Sequence, residues 1–446
     1  MVERTMVERT MVERTMVDPA DVDPAVVNPT EVDPVMIDSE VIDPAIIDPV
    51  MVETTAVLQL AVQQLQQVDV VALDTEFIRT DTFYPRLALV QLCDGTTTWL
   101  IDPLLFSAEE LAPLVGLLVD ERVIKVFHSC SEDLEVLRTA LGALPTPLFD
   151  TQVAAAFIGL GFSLSYQALV KEIAGTVLKK HETRSDWLRR PLSESQIRYA
   201  VEDVHYLGAI YAKLNEQLTS CGRLGWLQED MKALLAGAEQ EVPVEQYYLR
   251  VKGAWKLDRQ SLAILRALCT WRELEARKLD RPRGWIVADK ELLQIAIKQP
   301  RDRQLLSSGM SEISGKKSSG ARSRGGDGIH PRVVRTYGDK LVTLVEEGLS
   351  TDLALLPTLL PKPVPKEQGG TLKTCKKIVQ DKARALTMAP EMLARKTDLT
   401  YLLHTAVAGE AKLPPTMENS WRKTIIGNEL LSYVSNLDLG GAGKSE

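Results

Sequence analysis

The chain has 446 residues, of which 45% are hydrophobic and 25% charged, and its formal net charge is −9. This composition is ordinary for a soluble globular protein, so it excludes a collagen-like, mucin-like or wholly disordered chain. Taken alone, the acidic total argues against a nucleic-acid partner, because such partners favour basic surfaces.

The first 55 residues are eleven pentads, three copies of MVERT followed by variants such as DVDPA and VIDPA. Their repeated Asp-Pro pairs block helices and sheet ladders, because proline lacks an N–H donor and restricts the preceding residue. The segment has no aromatic residue and cannot bury a core. We therefore predict an extended or disordered leader over residues 1–55. An alternative hypothesis is that a tandem DNA repeat produced the pentads and that Met51 lies nearer the working start, which mass spectrometry of the natural N-terminus tests.

Residues 56–220 show strands alternating with helices, the pattern of an α/β layer fold. The apolar run 70–73 predicts a buried strand, and Asp94-Gly95 between segments 87–93 and 97–101 is a strong hairpin signal. Ser193 followed by Gln196 is a capping box, which predicts a long helix over residues 194–217. The remaining predictions are helices over 56–66, 107–119 and 131–141 and a strand over 122–127.

A window over residues 151–170 has no charged side chain, which is one feature of a membrane span. Polar residues such as Gln152 and Gln167 interrupt it, so we predict a buried helix followed by a loop. The five cysteines are widely spaced and form no C-x-x-C pair, which favours a reducing compartment without disulfides or zinc. The acidic, proline-containing N-terminus is unlike a signal or transit peptide. We therefore expect a cytoplasmic protein without membrane contact.

Residues 251–446 are predicted to be helical and carry a net charge of +11, whereas residues 1–55 and 56–250 each carry −10. The helices group into two domains, over residues 250–350 and 366–440. A Gly/Ser-rich loop over residues 307–329 interrupts the first of these domains, and its basic residues are Lys316, Lys317, Arg322 and Arg324. This basic half is the electrostatic footprint of a polyanion-binding region. The acidic total therefore does not argue against a nucleic-acid partner.

Three motifs in the α/β part place carboxylates where they can converge. Asp74 and Glu76 end a predicted strand, and residues two apart on a strand face the same side. Asp133 begins the helix that follows the strand 122–127. Tyr199 and Asp203 are four residues apart on the capped helix, so they share one helical face.

Four converging carboxylates would repel one another, and two divalent cations would balance their charge. Oxygen-only ligands favour Mg²⁺ or Mn²⁺ over zinc. Paired ions of this kind activate an attacking water and stabilise the leaving oxygen of a phosphodiester. The Tyr199 hydroxyl is then a candidate for orienting that water. The motifs together therefore indicate a two-metal phosphodiesterase.

Four stretches carry a resemblance to a known family: ALDTEFIRTDTFYPRLALVQLCDG (72–95), KVFHSCSEDLEVL (125–137), FDTQVAAAF (149–157) and ETRSDWLRRPLSESQIRYAVEDVHYL (182–207). They resemble the exonuclease domain of the DEDD superfamily, and within it the ribonuclease D family. The resemblance implies a ribonuclease H-like fold and 3′→5′ hydrolysis of RNA that releases nucleoside 5′-monophosphates. It assigns metal binding to Asp74, Glu76, Asp133 and Asp203, and water positioning to Tyr199. Arg198 stands where a histidine subclass has its histidine, which favours the tyrosine subclass.

The resemblance continues into the helical half. Residues 258–300 resemble the first half of an HRDC module, a nucleic-acid-binding accessory, and residues 371–437 resemble a second such module. The pentad leader and the basic Gly/Ser loop depart from the family pattern. If the helical half binds nucleic acid as the resemblance implies, the four basic residues of that loop are candidates for RNA contact.

Three further residues are candidates for substrate binding near the carboxylates. His128 is a candidate for contacting the scissile phosphate or the 3′ nucleotide, with packing in the core as the alternative. Arg184 is a candidate for contacting phosphate. Phe77 is a candidate for stacking under the terminal base, again with a core role as the alternative.

The leading hypothesis is an exoribonuclease that matures tRNA precursors with 3′ extensions and other small structured RNAs. A DNA-directed exonuclease of the same superfamily is one alternative, because the metals act on phosphates and only contacts to the 2′-hydroxyl distinguish the sugars. A non-catalytic RNA-binding scaffold is the other. No protein partner can be read from the sequence, so we expect a monomer.

Overall fold

The structure, a computed structural model, describes residues 49–178, 185–307 and 329–437. Its α/β part contains one six-stranded mixed sheet in the order β1-β4-β3-β2-β5-β6. The strands are β1 (Val50–Val52), β2 (Val70–Ile78), β3 (Arg86–Cys93), β4 (Thr98–Ile101), β5 (Ile124–Phe127) and β6 (Leu148–Asp150). β2, β3 and β4 are antiparallel neighbours, whereas β5 and β6 continue the sheet in parallel with β2. This mixed sheet confirms the predicted α/β fold.

The hairpin between β3 and β4 forms where Asp94-Gly95 predicts it. The Asp94 carboxylate accepts hydrogen bonds from the backbone amides of Thr96 and Thr97 at 2.8 and 2.7 Å. Gly95 has a φ of +93°, a conformation that favours glycine. The turn therefore fixes the register between β3 and β4, in which Cys93 lies opposite Thr98.

Eight helices accompany the sheet in the described part of the chain up to residue 239. They are α1 (Thr55–Leu65), α2 (Ala112–Leu118), α3 (Ser131–Leu141), α4 (Thr151–Phe157), α5 (Tyr166–Ala174), α6 (Glu194–His205), α7 (Leu207–Ser220) and α8 (Leu224–Glu239). The Ser193–Gln196 capping box starts α6 as predicted. The predicted helix over residues 194–217 is two helices that meet at Tyr206, and α2 starts five residues later than predicted, next to Pro113.

The uncharged window is not a membrane span. It forms α4, a loop and the start of α5, and α4 is buried against the core. Among the described residues no helix is both long and apolar enough to cross a membrane. The prediction of a buried helix followed by a loop is therefore confirmed.

The predicted leader is wrong at its C-terminal boundary. Val50–Val52 forms β1, which pairs in parallel with β4, and the Val52 side chain is fully buried. Thr54 caps α1 by accepting a hydrogen bond from the amide of Val57 at 3.4 Å. Residues 50–55 therefore belong to the fold, because the apolar strand Val50–Val52 completes the edge of the sheet. Residues 1–48 lie outside the described part of the chain.

The C-terminal part is helical, as predicted. Its helices are α9 (Arg259–Leu279), α10 (Arg283–Ile286), α11 (Asp289–Lys298), α12 (Arg303–Ser307), α13 (Pro331–Leu349), α14 (Gly369–Ala385), α15 (Pro390–Leu393), α16 (Lys396–Val407), α17 (Pro415–Glu418) and α18 (Asn428–Ser435), with a π-helical turn at Lys423–Gly427 before α18. The first helical module, α9 to α13, has its own apolar core, which also receives Phe83 from the α/β part.

The second helical module, α14 to α18, shares one continuous apolar core with the sheet and its helices. Trp226 of α8 stacks on Trp421 at 4.4 Å between ring centroids, with the planes 2° apart. Asp230 of α8 forms a two-pronged ion pair with Arg422 at 2.7 and 2.6 Å. The second module is thus fixed to α8 by apolar and ionic contacts together.

Candidate active site

The site forms where the central strand β2 faces helix α6. Asp74 and Glu76 lie on one face of β2, and α6 packs across β2, β3 and β4. Carboxylate oxygens of Asp74, Glu76 and Asp203 lie within 4.8 Å of one another. Three of the four predicted carboxylates therefore form one compact cluster, close enough to bind the same metal ion.

Asp133 joins this group from the first turn of α3. Its carboxylate accepts a hydrogen bond from the hydroxyl of Thr75, the residue between Asp74 and Glu76. Its charge acts on the other three carboxylates, although its oxygens lie outside the 4.8 Å cluster. Thr75 thus links Asp133 on α3 to β2, the strand that carries Asp74 and Glu76.

The loop that leads into α3 is held by a carboxylate from another strand. Ser129 has a φ of +65°, and its amide and that of Cys130 donate to the two oxygens of Asp150 at 3.1 and 2.9 Å. Asp150 also caps α4 by accepting from the amide of Gln152 at 2.8 Å. One buried carboxylate therefore fixes the approach to Asp133 and the start of α4.

The carboxylates repel one another and are poorly solvated. Burial, reinforced by the neighbouring negative charges, raises the pKa of Asp74 well above its usual range and that of Glu76 to about 8. Burial likewise raises the pKa of Asp203 to about 7 and that of Asp133 to about 6. The ion pairs among the described residues include none to these four groups. Divalent cations would relieve both penalties, and the all-oxygen donor set suits Mg²⁺ or Mn²⁺.

Tyr199 and Trp187 complete the immediate surroundings. The Tyr199 hydroxyl hydrogen-bonds the Asp203 carboxylate, and burial raises the pKa of the phenol above its usual range. The Trp187 indole hydrogen-bonds Glu76, and the two aromatic rings lie 6.0 Å apart. Tyr199 therefore stays protonated at neutral pH, and Trp187 holds Glu76 in place.

The loop that carries Trp187 is braced by Arg190. This guanidinium pairs with the buried Asp102 carboxylate, at 2.7 Å through one nitrogen. It also donates to the carbonyls of Ala88 and Trp187 at 2.8 and 2.7 Å. The brace ties the loop to β3 and to the end of β4, so the indole reaches Glu76 from a fixed support.

The predicted substrate-binding residues have different outcomes. Phe77 is half-buried and packs against the core. His128 has both ring nitrogens engaged, with Thr151 Oγ1 at 2.9 Å and the Leu164 carbonyl at 3.0 Å, which favours its packing alternative. Arg184 and the basic loop residues Lys316, Lys317, Arg322 and Arg324 lie outside the described part of the chain.

Sequence reasoning missed three contributors. These are the hydrogen bonds from Thr75 to Asp133, from Ser129 to Asp150 and from Trp187 to Glu76. The two residues in each bond are 21 to 111 positions apart in the sequence. Thr75 and Asp150 stand inside the quoted motifs DTEF and FDTQ, which is the only local signal for them. Local periodicity does not encode such contacts.

Two family models match the chain, one for a 3′-5′ exonuclease over residues 49–219 and one for an HRDC domain over residues 261–345. Ribonuclease D from Pseudomonas paraeruginosa is 42% identical over 367 residues, which cover 82% of this chain and 92% of that protein. Ribonuclease D from Bartonella henselae is 35% identical over 363 residues, covering 81% and 84%.

The comparison with solved structures gives the same result as the comparison of sequences. The structure of Escherichia coli RNase D, described as an exoribonuclease involved in structured RNA processing, is similar with a TM-score of 0.77 and 30% identity. The match covers 87% of this chain and 98% of that one. The catalytic core of RRP6 from Trypanosoma brucei shares the fold at 22% identity and a TM-score of 0.53.

Proposed function

The chain belongs to the ribonuclease D family and is a 3′→5′ exoribonuclease, and we propose that Asp74, Glu76, Asp133, Asp203 and Tyr199 form its reaction centre. The observation that carries this proposal is the convergence of three carboxylates within 4.8 Å, with a fourth tied to the same strand by Thr75. Such a group is costly to assemble without cations, because each member raises the pKa of the others.

We propose two Mg²⁺ or Mn²⁺ ions as cofactors, with Asp74 central among the ligands and Glu76, Asp133 and Asp203 around it. When bound, such ions activate a water and stabilise charge on the leaving oxygen of a phosphodiester. Among the described residues, the cluster is made of carboxylate oxygens, and Trp187 holds Glu76 while Thr75 holds Asp133. Hydrogen bonds of this kind to metal-binding side chains fix the orientation of those side chains before the metal binds.

Tyr199 is proposed to position the attacking water. Its hydroxyl is fixed by Asp203 on the same helix, one turn away, and burial keeps the phenol neutral. A neutral phenol both accepts and donates hydrogen bonds, so it orients a water without adding charge. Attack on the terminal phosphodiester then releases a nucleoside 5′-monophosphate and leaves an RNA one nucleotide shorter.

The proposed substrates are tRNA precursors with 3′ extensions and other small structured RNAs. The relatives named ribonuclease D support RNA rather than DNA as the substrate class. The HRDC match over residues 261–345 supports an accessory surface for nucleic acid beside the exonuclease domain. The intact carboxylate set argues against a purely binding role, because a scaffold has no need to bury four mutually repelling acids.

The test compares wild type with Asp203→Asn on a 3′-extended tRNA precursor in Mg²⁺. Asp69→Asn is the matched control, because Asp69 is an exposed aspartate just before β2, at the opposite end of that strand from the site. We expect Asp203→Asn to lose at least about 10³-fold in rate, equivalent to about 4 kcal/mol of transition-state stabilisation, while it still binds RNA. Full activity of Asp203→Asn would contradict the proposed centre, and equal activity on a matched DNA oligomer would contradict the RNA preference.

A further inference from the structure

A second feature lies where the α/β part meets the first helical module. It is a cleft of about 720 Å³, here called the arginine cleft. Its walls come from the loop after β2, from α3, from the end of α8, from the segment that joins α8 to α9 and contains a 3-10 helix at Val244–Arg250, and from the first module. Five arginines line it: Arg79, Arg138, Arg250, Arg277 and Arg283.

The five guanidinium groups are not equivalent. Arg79 forms a two-pronged ion pair with Glu135 at 2.7 Å, and Arg277 and Arg283 share the buried Glu273. Arg138 and Arg250 have no carboxylate within 4.0 Å among the described residues. Within the described part of the chain, Arg138 donates one long hydrogen bond, to the Glu239 carbonyl at 3.4 Å, and Arg250 is exposed. These two cations are free to meet an anion that the chain does not supply.

Aromatic rings are interleaved with these cations. Tyr84 is 41% exposed, and its ring meets that of Phe83 edge-on at 4.8 Å between centroids. Arg250 and Arg283 lie over the Tyr247 ring at 5.1 and 4.9 Å from its centroid. Alternating cations and aromatic faces are the recurring surface that holds single-stranded nucleic acid, because cations meet phosphates and rings stack on bases.

The cleft and the reaction centre take residues from the same two elements, α3 and the end of β2. On α3, Ser131 and Arg138 line the cleft from the more exposed face of the helix, whereas Asp133 lies on the buried face of the same first turn. Arg79, also on its wall, lies three residues after Glu76 at the end of β2. A strand whose 3′ end reaches the carboxylates would pass around the first turn of α3 before it enters the cleft. Its charge is also opposite to that of the surrounding domain, since residues 56–250 carry a net −10.

Resting on the proposed function, we infer that the arginine cleft binds the RNA backbone upstream of the 3′-terminal nucleotide. Arg138 and Arg250 contact phosphates, and Tyr84 offers its exposed face to a base. The acidic reaction centre repels the same backbone, so the two free cations supply the attraction that keeps the 3′ end in place. The cleft thereby sets how strongly the enzyme prefers a strand over a dinucleotide.

The test uses the full chain with Arg138→Ala and Arg250→Ala combined. The control is Arg122→Ala, because Arg122 lies before β5, at the opposite end of that strand from Asp133, and is 77% exposed. Binding of a single-stranded RNA decamer is measured by fluorescence anisotropy in an Asp203→Asn background, so it does not depend on hydrolysis. We expect the double variant to raise Kd at least 10-fold and to lower the salt slope by about 0.7 for each lost phosphate contact, whereas the control does neither.

Hydrolysis gives the second readout. With the catalytic residues intact, the double variant is expected to raise KM for the decamer while kcat stays near wild type. A dinucleotide is too short to enter the cleft, so its kcat/KM should be unchanged. Unchanged decamer affinity, or equal losses on decamer and dinucleotide, would overturn the inference. Loss of hydrolysis in wild type would instead contradict the proposed function, and the anisotropy result would still decide the role of the cleft.

Discussion

The Asp280 carboxylate accepts a hydrogen bond from the backbone amide of Phe83 at 3.0 Å, although the two residues are 197 positions apart. The same oxygen accepts from the amide of Tyr84, also at 3.0 Å. The Phe83 ring enters the core of the first helical module, and Arg283 lies 4.6 Å from its centroid. The loop that follows β2 is therefore held by the first helical module.

Replacing Asp280 should loosen this attachment. Asp280→Ala leaves two backbone amides without their acceptor, and Asp280 has a φ of +47°, which alanine adopts with strain. We expect a loss of about 2–3 kcal/mol in the free energy of unfolding, measured by urea denaturation. Asp280→Asn is the matched control, since asparagine tolerates this backbone and keeps an accepting oxygen. Equal losses in the two variants would contradict the role assigned to the carboxylate oxygen.

Divalent cations should stabilise the fold through the carboxylate cluster. Mg²⁺ at about 100 times its Kd would add about 2.7 kcal/mol, which is a rise in Tm of roughly 5–10 °C for a domain of this size. Asp74→Asn removes one repelling charge from the cluster, so this variant should be more stable than wild type in chelator and gain little from Mg²⁺. Differential scanning calorimetry with EDTA and then with Mg²⁺ measures both effects. A rise of the same size in wild type and Asp74→Asn would place the stabilising ions elsewhere.

Removing the Tyr199 hydroxyl should slow chemistry without weakening RNA binding. In Tyr199→Phe the ring still packs against Trp187, but nothing fixes a water beside Asp203. We expect kcat to fall about 10²–10³-fold in single-turnover assays, with the Kd for RNA unchanged. Tyr211→Phe is the control, because Tyr211 lies on α7 with its ring 4.8 Å from Phe149, away from the carboxylates. A kcat near that of wild type in Tyr199→Phe would remove Tyr199 from the mechanism.

The buried Lys125 on β5 should give the fold a pH dependence in the alkaline range. Its ammonium donates to the Asp120 carbonyl at 2.7 Å and to the Thr146 carbonyl, and burial lowers the pKa of Lys125 to about 8. The unfolded lysine titrates near 10.4, so between about pH 8 and 10 the unfolded chain binds more protons than the folded chain. The contribution of Lys125 to stability therefore rises with pH across this window and is lowest below pH 8.

The comparison with Lys125→Met isolates that contribution. From pH 8 to 10 the stability of wild type relative to Lys125→Met should improve by roughly 2 kcal/mol, measured by urea denaturation at each pH. Groups that titrate in both chains cancel in the difference. A difference that stays constant between pH 8 and 10 would show that the lysine keeps its charge when folded.

The strand Val50–Val52 should contribute measurably to stability. A chain that begins at Pro49 is compared with one that begins at Thr54, which keeps the cap of α1 but lacks β1. Loss of the buried Val52 side chain and of the pairing with β4 should lower the free energy of unfolding by about 3–5 kcal/mol. Chemical denaturation of both chains decides the matter. Equal stability would mean that the strand adds nothing to the sheet.

Much of this protein follows from its sequence alone. Residues two apart on a strand and four apart on a helix share a face, so local geometry is enough to pair Asp74 with Glu76 and Tyr199 with Asp203. The Ser193 capping box and the Asp94-Gly95 turn act within four residues, which is why those elements form where the sequence predicts them. Local geometry and backbone chemistry are sufficient for features of this range.

Only the tertiary structure decided the rest. It turned both ring nitrogens of His128 toward protein partners, drew Val50–Val52 into the sheet and brought the Trp187 indole to Glu76. It also joined Phe83 to a helical module nearly two hundred residues later, and so created the arginine cleft. Such contacts depend on which surfaces pack together when apolar groups are removed from water. That outcome is a property of the whole chain, and no local pattern records it.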